Sequence, residues 1–191
     1  MFIFGVIFAL VAGILFGLIG PTTKIAYNSG ASVALTIFLR YAVASIIIIP
    51  FIPYQKNLLE IFKKNLKYFL SISAGSILLT LGLLTSVIFI EVSLTILIFC
   101  LYPIYVLLFS IIVDKEKISL TVKILFFVTF LGIILVIGPS FKVINIVGIL
   151  LAFLASLGST SMIIVNQKMS IKGISPIPIN IFINVFNTFF F

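Results

Sequence analysis

Apolar residues run in blocks of about twenty, and each block is closed by a short polar stretch. The blocks cover residues 3–23, 32–52, 68–89, 92–113, 121–139 and 146–165, and a seventh begins near Pro176. A helix needs about 20 apolar residues to cross ~30 Å of hydrocarbon. Each block therefore predicts a transmembrane helix. Lipid offers no hydrogen bonds, so every backbone N–H and C=O must be satisfied internally. Barrel strands would alternate apolar and polar positions over ~10 residues, and no such alternation occurs. The pattern predicts an all-α integral-membrane protein, a multi-span helical bundle.

Within the blocks, small residues recur at helical spacing. Gly5, Ala9, Gly13 and Gly17 fall every fourth position in the first span, and Gly148, Ala152, Ser156 and Thr160 repeat them 143 residues later. Gly30 and Ser32 likewise pair with Gly173 and Ser175. An i, i+4, i+8 stripe lies along one face of a helix and lets another backbone approach closely in lipid. Its recurrence predicts a duplicated unit of five spans. Five is odd, so the second copy enters the membrane from the opposite side, giving inverted five-helix repeats. Residues 1–140 hold the first repeat and 141–191 open the second. The chain stops inside that second repeat, after Asn184, Asn187 and three phenylalanines. The second repeat is thus expected to be incomplete, from a full unit of ten spans.

Charge fixes the expected orientation. Lys56, Lys63, Lys64 and Lys67 follow span two; Lys115, Lys117 and Lys123 follow span four; Lys168 and Lys172 follow span six. The opposite loops hold Lys24 and Lys142. Nine lysines against two place the even-numbered loops, and the N-terminus, in the cytoplasm. The basic segment 56–67 is a loop that orients the chain, with contact to the anionic inner leaflet as the second reading.

Composition narrows the function. The chain is 63% hydrophobic and 8% charged, against roughly 45–50% and ~25% in a soluble domain. The net charge of +8 lies almost wholly in the loops, so it is a topology signal, and no nucleic-acid partner is expected. There is no histidine, and Cys100 stands alone in an apolar block. Neither a metal cluster nor a disulfide is expected, and Cys100 reads as a small hydrophobe. The N-terminal block lacks a basic leader and is too long for a signal peptide, so it reads as an uncleaved span. With no membrane carboxylate pair and no visible base, an enzyme is not expected. No filter-like loop suggests a channel. No GxxxxGK[ST] motif provides for ATP, and no cofactor is expected.

Several motifs fall in order along the chain: Lys24 closing span one, Arg40 in FLRYAVAS, Pro103 in LYPIYVLLFS, the loop DKEKIS with Glu116, and GIILVIG with Gly132 and Gly138. In this order and spacing the chain resembles the EamA-type branch of the drug/metabolite transporter superfamily. Residues 3–139 resemble one full repeat and 146–191 the first two-fifths of the next. The resemblance implies a ten-helix inner-membrane carrier or exporter of amino acids, metabolites, nucleotide-linked sugars or toxic organics, with its cavity between the repeats. The expected function is secondary transport of small metabolites by alternating access. The alternative is a truncated, non-transporting remnant or an assembly partner of a carrier. The expected partners are the bilayer, a small-molecule substrate, and either a second copy or the missing half-repeat. The residues do not identify the substrate.

The candidate pathway residues are Arg40, Lys24, Thr80, Tyr102, Tyr105 and Glu91. A mid-membrane arginine costs roughly 2.5–3.5 kcal/mol on insertion scales, so Arg40 should face the bundle interior. It reads either as a fixed charge for an anionic or zwitterionic substrate or as a clamp on backbone carbonyls. Lys24 reads as a vestibule or interfacial lysine; the aligned position 143 residues on is Gln167, beside Lys168. Pro103 predicts a kink and a freed carbonyl near residue 99, with Tyr102 and Tyr105 as a stacking face. Ser71, Gly75, Gly82 and Ser86 line one face of span three, first as a helix contact and second as a cavity wall; Thr80 lies elsewhere on that helix. Glu91, the one carboxylate outside the cytoplasmic loops, reads as interfacial or as a proton-coupling group. Asp114, Lys115, Glu116 and Lys117 form a solvated loop of alternating sign.

Overall fold

Two prolines interrupt helices that hydropathy alone draws as continuous. A computed structural model describes residues 2–55, 57–113, 115, 119–137 and 145–191. Lys56, Asp114, Glu116, Lys117, Gly138 and Lys142, singled out above, lie outside the described residues. Span one is divided into α1 (Phe2–Gly17) and α2 (Ile19–Asn28). Pro21 has no N–H to give to the Gly17 carbonyl, so the helix breaks at Leu18. Span two is α3 (Val33–Ile48), and it tightens into a 3-10 turn over Ile49–Tyr54, which contains Pro50 and Pro53. A short helix, α4 (Leu58–Lys64), occupies the basic loop. Span three is α5 (Leu66–Phe89). Span four is α6 (Val92–Phe99) and α7 (Tyr102–Ile112). Pro103 thus corrects its expectation: it sits in the first turn of a new helix, after a break at Cys100 and Leu101, rather than bending a continuous one. Its missing N–H costs nothing in that position. Then come α8 (Leu120–Ile137), α9 (Ile146–Ile171) and α10 (Pro176–Phe190). Five of these segments are long and apolar enough to cross a membrane, among the described residues: Ile3–Asn28, Val33–Tyr54, Leu66–Phe89, Val92–Ile112 and Ile146–Ile171. The protein is an all-α, multi-pass membrane bundle.

The turns after α2 and α9 have the same construction. Gly30 at φ 89° and Gly173 at φ 74° take the left-handed conformation that glycine adopts without strain. In each, the next residue closes a bond five residues back: Ala31 N–H to the Ala26 carbonyl, and Ile174 N–H to the Met169 carbonyl. The serines that follow, Ser32 and Ser175, are the N-caps of α3 and α10. These two sites are the ones that the sequence pairs at a spacing of 143 residues.

The bundle is organised on α5, which runs antiparallel to α9 along its length. Gly75 stands against Gly158 and Ser161, Gly82 against Leu151 and Ala155, and Gly148 against Phe89 and Ile90. Ala152, Ala155 and Ser156 are fully buried in the same seam. On its other side α5 meets α3 and α10, where Ile37, Phe69, Ile72, Leu84, Met169 and Ile183 form the main core. Phe62, Phe69 and Phe182 pack ring to ring there, with centroids 4.8–5.2 Å apart. The first small-residue stripe is treated differently. A Cβ on Gly5, Gly13 or Gly17 would meet nothing within 4 Å, and Ala9 is exposed. The helix contact expected of that stripe is not made among the described residues, because α1 stands at the margin of the bundle with its described side chains exposed. At one end of the bundle, residues 55–65 and 172–178 line a common cleft, which puts Lys64 and Lys172 on the same side.

Candidate functional site

At 100° per residue, Ser73, Ser76, Thr80, Leu84 and Val87 fall within about 80° on α5, roughly opposite the glycines that face α9. All five are buried. The helix therefore carries a dense small-residue seam on one side and a polar-to-apolar track on the other.

The polar half of the track is a hydrogen-bonded node. The Tyr41 hydroxyl of α3 lies 3.1 Å from the Ser76 carbonyl, 2.8 Å from Ser76 Oγ and 2.7 Å from Thr80 Oγ1. Its one proton serves one acceptor at a time, and the two hydroxyls can donate in return. Asn187 of α10 donates from Nδ2 to Ser76 Oγ at 3.2 Å. The Phe191 ring stacks on Tyr41 at 6.2 Å, and Ser45 Oγ lies 3.1 Å from Thr188 Oγ1 one turn away. Three helices are thus tied through polar groups at the middle of the bundle.

The node leaves hydrogen-bonding capacity unused. Asn187 Oδ1, Ser73 Oγ and Arg40 Nη1 are buried with no hydrogen-bond partner. Arg40 adjoins Tyr41 in sequence and is half-buried. Buried polar atoms normally find partners, because an unmade bond costs more than a made one gains. A buried guanidinium nitrogen with no partner provides an open position for an acceptor.

Beyond Thr80 the track becomes the wall of a cavity of about 220 Å³. Phe16, Gly17 and Gly20 close it from span one, Leu83, Leu84 and Val87 from α5, and Thr95, Phe99, Cys100 and Tyr102 from span four. The break in span four supplies Cys100 and Tyr102 to this wall. Ser86 Oγ donates to Thr95 Oγ1 at 3.0 Å, so the hydroxyls at this end are satisfied. Lys24 Nζ donates to the Val87 carbonyl at 2.9 Å. That carbonyl lies in the last turn of α5, where helical partners run out and the negative end of the helix dipole favours a cation.

The structure therefore separates the residues that the sequence proposes. Thr80 belongs to the node, with Arg40 beside it. Tyr102 lines the cavity, and its carbonyl lies 3.4 Å from Thr160 Oγ1. Lys24 caps α5 at the cavity's edge. Tyr105 faces α9 instead, where its ring packs on Phe153 with centroids 5.5 Å apart. Glu91 holds the N-cap position of α6 without a side-chain cap bond. Gly75, Gly82, Gly148 and Ala152 lie in the α5–α9 seam. Lys115, from the loop that reads as solvated, is exposed. Tyr41, Ser73, Ser76 and Asn187 were not singled out as site residues. Their signal is present: hydroxyls at 73, 76 and 80 share one helical face, and Asn187 is a polar side chain in an apolar block. Among the described residues no three metal-binding side chains come together.

The model of the EamA-like transporter family matches residues 3–138, more than two thirds of the chain. No curated protein and no solved structure matches.

Proposed function

We propose, on the premise that the chain belongs to the EamA-like transporter family, that it forms the pathway of a secondary carrier for small metabolites bearing an anionic or zwitterionic group. The observation that carries this reading is the buried Arg40 Nη1, which has no hydrogen-bond partner and adjoins the residue that anchors the node. A charge inside a membrane bundle is costly to insert, and a substrate that neutralises it recovers that cost. The Thr80 and Asn187 groups orient the substrate through hydrogen bonds. The cavity between spans one, three and four accepts its apolar part.

Alternating access follows from inverted five-helix repeats, 1–140 and 141–191, exchanging roles about the pathway. The identical left-handed caps at Gly30 and Gly173 support the repeat. The grouping of Lys64 and Lys172 at one end supports a cytoplasmic N-terminus and residence in the inner cell membrane. The test is flux of labelled amino acids and organic acids in cells or liposomes containing the protein, with Arg40→Ala compared at equal membrane insertion. Loss of flux is expected. Normal flux through a correctly inserted Arg40→Ala protein would overturn the reading.

A further inference from the structure

The cleft that joins residues 55–65 to 172–178 plays no part in the transport pathway. It measures about 690 Å³ and opens at the end of the bundle. Lys64 projects into it from α4 and Lys172 from the end of α9, more than a hundred residues apart in sequence. Gln55, Asn57 and Ser175 add neutral hydrogen-bonding groups, and Glu60 is the one carboxylate on the wall. Two cations against one anion leave the cleft net positive. Lys172 is positioned rather than loose, since its Nζ sits 4.1 Å over the Tyr68 ring.

Large apolar side chains stand exposed beside this charged cleft: Leu59 at 74% on α4, and Tyr54 at 81% in the preceding turn. A ligand charged at one end and apolar at the other would satisfy both features, whereas inorganic phosphate would use the cations alone. We propose that the cleft is a site for the phosphate headgroup of an anionic phospholipid. Lys64 and Lys172 hold the phosphate, while Leu59 and Tyr54 lie among the acyl chains. Because the two lysines come from the loops after spans two and six, the lipid clamps these two segments together. The site stands whether or not the chain transports.

The test is native mass spectrometry of the full chain released from detergent in the presence of phosphatidylglycerol or phosphatidylcholine. Phosphatidylglycerol should be retained at roughly tenfold lower concentration. Lys64→Gln with Lys172→Gln should abolish that preference, and Lys64→Arg with Lys172→Arg should keep it. Lys67→Gln with Lys123→Gln, which removes the same charge outside the cleft, should also keep it. Leu59→Ser with Tyr54→Ser should weaken retention of the lipid. No preference in the unmodified chain, or equal loss in the Lys67 and Lys123 pair, would overturn the site. Displacement of the lipid by inorganic phosphate at constant ionic strength, with no effect of the Leu59 and Tyr54 changes, would assign the cleft to free phosphate and overturn the lipid.

Discussion

Gly75 and Gly158 face each other across the α5–α9 seam, each occupying the space that the other's side chain would need. A Cβ on Gly158 would stand 2.7 Å from the Gly75 carbonyl oxygen, and one on Gly75 would stand 3.0 Å from the Gly158 carbonyl oxygen. Backbone carbonyls cannot swing aside as side chains can, so this contact fixes the approach of the two central helices. In lipid, where apolar side chains gain little by meeting each other, such close backbone packing is a main source of helix association.

Gly158→Leu and Gly82→Leu should each destabilise the bundle by at least about 1–3 kcal/mol, the usual cost of overpacking. Gly13→Leu, on the exposed α1 stripe, should leave stability unchanged. Thermal unfolding of the three variants in detergent, followed by size-exclusion chromatography, compares them directly. An equal loss in Gly13→Leu would show that the first stripe also packs.

The node predicts coupling between α3 and α5. Tyr41→Phe and Thr80→Val should each lower stability, and the double variant should lose less than the sum. Hydrogen-bond coupling inside membrane proteins averages about 0.6 kcal/mol with a maximum near 1.7. A double-mutant cycle that gives strict additivity would disconnect the two hydroxyls.

Arg40→Met separates a substrate-binding role from a structural one. A guanidinium that clamps backbone carbonyls would leave them bare on removal, and stability would fall. A charge reserved for substrate costs roughly 2.5–3.5 kcal/mol to hold in the membrane, so Arg40→Met should be at least as stable as the unmodified chain. Flux should drop tenfold or more, which thermal stability and transport measured on one preparation would establish.

Lys24→Met should cost about 1–2 kcal/mol, because it removes a charge-assisted hydrogen bond from the last turn of α5. Lys24→Arg should retain most of it. Proteolysis near residues 88–91 reports fraying at that end. Identical proteolysis rates in the two variants would mean that the cap carries no weight.

Cys100 is the one cysteine of the chain, and it lines the cavity wall. N-ethylmaleimide should label it in membranes, and Gly17→Phe, which fills the cavity, should slow labelling severalfold. Unchanged labelling would place the thiol's access route elsewhere.

Much of the fold could be read from the sequence. Blocks of twenty apolar residues dictate helices because lipid leaves the backbone no other partner, and each of the seven blocks contains one. Gly30 and Gly173 announce their turns because a left-handed backbone favours a residue without a Cβ. The nine lysines of the even-numbered loops predict a shared side, and Lys64 and Lys172 do meet in one cleft. What the sequence could not decide was which faces meet. Two stripes alike in sequence have opposite fates: Gly148 and Ala152 are buried against α5, while Gly5 and Gly13 face open space. Side-chain size permits close approach, but only the placement of the other helices decides whether it occurs. The node was hidden for the same reason. Tyr41, Ser76 and Asn187 lie 35 and 111 residues apart, and no local periodicity states that three helices turn their polar groups toward one point. Helix formation is local, being set by hydrogen bonds four residues back along the chain. The site arises from contacts between distant helices, which only the tertiary structure determines.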